Sequence, residues 1–134
     1  RDLVRSRGLG DVYKRQVMRC IYESLALKYR YAIEQLSAVT GRAFTTLHVL
    51  GGGTKDRLLC QMAADCCGLT VKAGPVEATA LGNIMIQLKA LGLLDSITQG
   101  HRLIAETEVI KTYTPSTQNY AEWNAAYDRF KTLL

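Results

Sequence analysis

No stretch of this 134-residue chain approaches the roughly 18 consecutive apolar residues of a membrane-spanning helix, and its opening shows no secretory leader pattern. A soluble, cytoplasmic chain with no membrane partner is expected. The cysteines are Cys20, Cys60, Cys66 and Cys67, and they lack the C-x-x-C spacing of zinc and redox sites. Adjacent Cys66 and Cys67 are poorly placed to bridge each other, so all four read as reduced thiols packing like small hydrophobes. Also missing is any basic stripe interleaved with aromatics. The net charge is +5, but Arg1, Arg5, Arg7, Lys14 and Arg15 set against Asp2 and Asp11 place +3 of it in residues 1–16. The body of the chain is close to neutral, and no nucleic-acid partner is expected.

What is present suits one small globular domain: 48% of the residues are hydrophobic, enough for a modest core at this length. Residues 1–16 stand apart. They carry scattered charge, glycines at Gly8 and Gly10 and no folding period, and GLGDVYKRQ resembles translated sequencing-adapter read-through. These residues are expected to be a non-native or disordered extension, with the domain proper over 17–134. From Val17 the spacing of Ile21, Leu25, Tyr29, Ala32, Ile33 and Leu36 marks one apolar helix face that stops at Gly41. Tyr22, Tyr29 and Tyr31 read as packing along that helix. Residues 44–50 read as a buried parallel strand, apolar on both faces near its end, with His48 as a core or strand-end histidine. His48 has no partner ligand at metal-site spacing.

The segment TTLHVLGGGTKDRLLCQMAAD, residues 45–65, carries the densest signal. Three glycines between a β-branched run and an amphipathic helix let the main chain turn sharply and come close to a ligand. The helix behind them would aim free N–H groups and its positive dipole end at the same place, which suits a phosphate or ribose. Thr54 is the expected cap of that helix, residues 55–67, and Asp56 places a carboxylate in its first turn. Leu58, Leu59, Met62, Ala63 and Cys66 make its expected apolar side, and Gly68 ends it. A plain strand-to-helix turn would use the same glycines, so the turn alone is weak evidence of binding.

Further on, residues 69–73 read as a second strand, and Glu77 opens the helix EATALGNIMIQLKALG. Its Ala78, Thr79, Ala80 and Gly82 leave one end nearly without side-chain bulk, permitting close approach of a strand or a ligand. A short helix over 95–105, a break at Pro115 and Ser116, and a final helix over 120–134 with Trp123, Ala126, Tyr127 and Phe130 on one side complete the chain. This alternation gives an α/β class with parallel strands flanked by helices. Two strands are too few to stand alone, which marks the chain as part of a larger domain.

LHVLGGGTKDRLLCQMAADCCGLTVKAGPVEATALGNIMIQLKALG resembles the C-terminal part of the FGGY carbohydrate kinases. GGG followed at this distance by AGPVEATALGN is specific to that likeness, and RCIYESLALKYRYAIEQL and AEWNAAYDRF extend it over residues 17–134. The resemblance implies a partial actin-like ATPase domain of the ribonuclease H-like fold. It also implies transfer of the γ-phosphoryl of ATP to a sugar hydroxyl, with ADP as product and Mg2+ as the metal.

Carried over residue by residue, it gives Gly51, Gly52 and Gly53 a nucleotide contact, Gly52 foremost, with Asp56 beside them. Thr54, Lys55 and Asp56 stand where the family usually has Ser or Cys, then Gln, then Asn, and Cys60 stands where another Asn is common. Asp for Asn puts a carboxylate that cannot donate beside an anionic ligand. The family's catalytic aspartate, phosphate-binding loop and sugar contacts precede this stretch, so no catalytic residue, no metal ligand and no activity of this chain alone are expected. Asp65 and Glu77 read as structural. Two other readings compete: a stand-alone nucleotide-binding or interaction module without catalysis, and a dinucleotide-binding turn. The second fits poorly, because GGGTKD lacks the third spaced glycine and no acidic residue follows at a strand end about 20 residues on.

Overall fold

A computed structural model describes residues 2–134, with side chains from residue 10 onward. In chain order the elements are α1 (Asp2–Thr40), β1 (Thr46–Val49), a 3-10 turn (Gly51–Lys55), α2 (Arg57–Cys67), β2 (Thr70–Ala73), α3 (Ala78–Ala90), α4 (Ile97–Thr107), β3 (Lys111–Tyr113) and α5 (Tyr120–Lys131). β2 is the centre of the three-stranded sheet, pairing β1 in parallel and β3 antiparallel. The class is α/β, as the alternation of patterns requires. β3 is an addition to the expected parallel set. KTY is too short and too polar for periodicity to reveal it, and it is fixed by pairing Val71 with Tyr113 and Ala73 with Lys111.

The sheet buries one face. Along TVKA, Val71 and Ala73 are buried while Lys72 is exposed, and His48 lies beside Lys72 in the register. The inward residues pack on Cys60, Ala63 and Ala64 of α2, with Leu47, Val49, Tyr29 and Tyr113 around them. Of the expected core or strand-end histidine, His48 is the strand-end one, exposed on the other face next to the last residue of β1, and the strand apolar on both sides gives way to plain alternation. The Tyr113 hydroxyl is buried with no hydrogen-bond partner among the described residues.

α1 departs from the expected helix in extent and in rotation. The helix runs from Asp2 rather than Val17, with every side chain from residue 10 to Ile21 exposed. The expected apolar stripe is only partly used: Val17, Ile21, Leu25, Ala32 and Leu36 are exposed, while Tyr29 and Ile33 are half-buried. What packs is the neighbouring stripe through Ala26 and Leu27, flanked by half-buried Tyr22, Tyr29 and Arg30. Small side chains win because Ala26, Cys66 and the small α2 residues allow close helix approach, which a leucine stripe would prevent. Tyr31, Met62, Tyr127, Trp123 and Phe130 close this second cluster between α1, α2 and α5. Arg30 binds it together. Its guanidinium sits 4.3 Å from the Tyr127 ring centroid and donates to Asn124 Oδ1 at 2.8 Å, while Tyr127 Oη donates to Glu34 Oε2 at 2.6 Å.

Candidate functional site

β1 ends at Val49, and the chain leaves it extended through Leu50 before reversing at Gly51, whose φ of 79° favours glycine. Gly51 to Lys55 then wind one 3-10 turn, in which Thr54 Oγ1 donates to the Gly51 carbonyl at 2.7 Å. Thr54 therefore closes the turn rather than capping the helix. The cap is Asp56: its Oδ1 accepts from Leu59 N at 3.0 Å, so α2 begins at Arg57, two residues later than expected. Of the expected apolar side of α2, Leu58 is 52% exposed and Leu59 half-buried, while Cys60 and Ala64 are buried instead.

Of the four expected site residues, Gly51, Gly52 and Gly53 open this turn and Asp56 follows its end as the cap of α2, and the glycines differ in what they tolerate. Gly52, the foremost candidate, is exposed, and a Cβ built on it meets nothing within 4 Å among the described residues. Gly53 has room as well, with Val49 Cγ1 at an ordinary 3.9 Å. Only Gly51 needs its conformation; Gly52 is bare without a local steric reason.

Asp56 is held from two sides. Oδ1 takes the α2 amide, Oδ2 accepts the Tyr22 hydroxyl of α1, and the Asp56 amide donates back to the Gly53 carbonyl at 3.2 Å. The Tyr22 hydrogen bond, then that of Leu59, holds the carboxyl below the usual carboxylate range. The helix N-terminus thus carries its own carboxylate, which takes one of the N–H groups expected to await an anion. Tyr22, read as packing from the sequence, makes a polar contact 34 residues away that no local spacing signals.

Next to the turn lies a groove of about 710 Å³ between the open face of the sheet and helices α3 and α4. His48 and Lys72 line it from the sheet, His101 and Ile104 from α4, and Ala78 and Gly82 from α3. Gly82 has open space where a Cβ would be, so it serves the groove and not close packing. The tight helix contact is instead at buried Gly100, whose Cβ would collide with Met85. Two hydrogen bonds tie the turn to the groove rim: Gly51 N donates to the Pro75 carbonyl at 3.3 Å and Gly74 N to the Val49 carbonyl at 2.9 Å. Gly74 has a φ of 132° and would place a Cβ 2.9 Å from the Val109 carbonyl oxygen, so glycine is required there.

The tempting carboxylates lie elsewhere. Asp65 Oδ1 accepts from Gln61 Nε2 at 2.9 Å and from Ser116 N at 2.8 Å, fastening α2 to the segment before α5. Glu77 precedes α3 without a side-chain capping bond. Among the described residues no group of three or more His, Cys, Asp or Glu side chains is arranged to hold a metal, and no helix is long and apolar enough to cross a membrane.

The C-terminal domain of the FGGY family of carbohydrate kinases matches residues 5–91. The rhamnulokinase of Bacteroides thetaiotaomicron is 47% identical over 119 residues, which is 89% of this chain and 24% of that protein. The rhamnulokinase of Enterobacter sp. strain 638 is 41% identical over 85% of this chain and 24% of its own length, and that of Klebsiella pneumoniae subsp. pneumoniae 42% over 75% and 21%. The chain therefore spans about a quarter of the length of these curated relatives, 24% for the first two.

Proposed function

From the premise that the chain belongs to the FGGY family of carbohydrate kinases, we propose that it forms the adenosine-side wall of the nucleotide site in an ATP-dependent sugar kinase. The α/β architecture, a parallel strand pair flanked by helices, is that of part of the family's ribonuclease H-like domain. The reaction we assign is that of the similar rhamnulokinases: L-rhamnulose and ATP give L-rhamnulose 1-phosphate and ADP, in rhamnose metabolism in the cytoplasm.

The observation that carries the reading is the bare turn. Gly51, Gly52 and Gly53 close β1 beside the groove, and Gly52 presents main chain with open space above it. A ribose or adenine ring can lie against such a surface at van der Waals distance, with backbone N–H and C=O groups as its polar partners. Residues 51–53 supply the surface. Asp56 supplies the fixed start of α2 and a negative charge near an anionic ligand, which weakens affinity relative to a neutral amide.

Phosphoryl transfer needs groups around the γ-phosphoryl, and this chain supplies none that we assign. The catalytic base, the phosphate-binding loop and the sugar contacts belong to other parts of the full-length kinase. Mg2+, the metal implied by the family, would neutralise phosphate charge when bound in those other parts. In the full-length kinase, Gly52→Val should raise the Michaelis constant for ATP at least tenfold, about 1.4 kcal/mol, with the sugar constant near normal. An unchanged ATP dependence in a folded Gly52→Val enzyme would make the turn structural and refute the assignment.

A further inference from the structure

We propose that Tyr22 is a positioning residue for the glycine turn, acting from the long helix α1 through Asp56. The inference rests on the nucleotide reading of residues 51–53 and adds a residue of α1 that lies outside the turn.

The chain of contacts is short. Tyr22 Oη donates to Asp56 Oδ2, the other carboxylate oxygen caps α2 through Leu59 N, and the Asp56 amide holds the Gly53 carbonyl at 3.2 Å. Cys60 Sγ, one turn into α2, lies 3.8 Å from the same carbonyl. Three elements therefore converge on Gly53: α1 through Tyr22, the turn itself, and the first turn of α2.

The chemistry explains why a donor is wanted here. A carboxylate has two acceptor oxygens, and the cap through Leu59 N uses only one of them. A donor from a different element on the second oxygen fixes the carboxyl plane and stabilises the charge. An asparagine carries no charge to stabilise and caps through its single carbonyl oxygen. Aspartate at position 56 and a hydroxyl at position 22 thus form a matched pair. Tyr22 is only half-buried, on a groove of about 440 Å³ with Met18, Leu58 and Met62, so its ring packs while its hydroxyl reaches the carboxylate.

The test is steady-state kinetics on the full-length kinase carrying Tyr22→Phe, which keeps the ring and removes the donor. The ATP Michaelis constant should rise between about threefold and tenfold, the scale of one partly exposed hydrogen bond to a charged group, while kcat and the sugar constant stay near the parent values. Adding Asp56→Asn to Tyr22→Phe should bring the ATP constant back to the parent value or below it. If Gly52→Val raises the ATP constant and Tyr22→Phe does not, this inference fails and the nucleotide reading survives. If neither variant changes it, both fail. A Tyr22→Phe enzyme in which kcat, ATP and sugar constants all worsen together, without rescue by Asp56→Asn, would show a merely structural tyrosine.

Discussion

Replacing Arg30 by alanine should unlock α5 from the rest of the chain. In the structure the guanidinium joins three helices: it stacks 4.3 Å from the Tyr127 centroid, donates to Asn124 Oδ1 at 2.8 Å and to the Cys66 carbonyl at 3.4 Å, and pairs with Glu34 at 3.1 Å. With 19% of the Arg30 side chain exposed, these interactions are partly shielded from water. A charged hydrogen bond contributes about 1.5–3 kcal/mol, the cation–π contact about 0.5–1 and the i,i+4 pair about 0.3–0.5, and they share one group and do not add fully. A loss of about 2–3 kcal/mol is expected, a large part of the roughly 5–15 kcal/mol of a small domain. Urea unfolding of the purified chain, followed by the fluorescence of Trp123 in α5, measures it. Arg30→Lys should recover less than half, because an ammonium cannot stack and fork in this geometry. A loss below about 0.5 kcal/mol for Arg30→Ala, the level of ordinary surface substitutions, would refute the argument that this network holds α5.

Glycine substitutions should separate conformation from contact: Gly74→Ala, with a Cβ 2.9 Å from the Val109 carbonyl oxygen and a φ of 132°, should lower the unfolding free energy in urea strongly, while Gly52→Ala should leave it within about 0.5 kcal/mol. Equal effects at the two positions would refute that distinction. Tyr113→Phe removes a buried hydroxyl that has no partner among the described residues and should raise stability by up to about 1 kcal/mol; a clear loss would show that the hydroxyl is satisfied. Deleting residues 1–16 should leave thermal melting unchanged, since residues 10–16 are exposed; a loss above about 1 kcal/mol would place them in the domain.

The legible parts were those set by short-range rules. Gly68 ends α2 in the left-handed conformation, Glu77 precedes α3, and the second strand lies within residues 69–73, as glycine stops and short apolar runs dictate. The glycine turn lay where the sequence placed it, between β1 and α2. Other features depended on partners far along the chain. α1 carries competing apolar stripes, and the choice fell to Ala26 because the small residues of α2 demanded a small neighbour. Thr54 and Asp56 are both good caps, and the 3-10 turn consumed the first and left the second. Tyr22 entered the site only through tertiary packing, and β3 only through its pairing with β2.

The cross-tie between the two strand-ending loops, Gly51 N to the Pro75 carbonyl and Gly74 N to the Val49 carbonyl, bears on the speed and cost of capture. Each loop is anchored by the other before any ligand arrives, so the ordering entropy of the turn is spent in folding and not charged to association. If the turn holds a nucleotide as we propose, the ligand meets a preformed shelf. Its arrival would then be limited by diffusion and orientation rather than by loop rearrangement, and differences in affinity among variants of this turn should surface in dissociation rates.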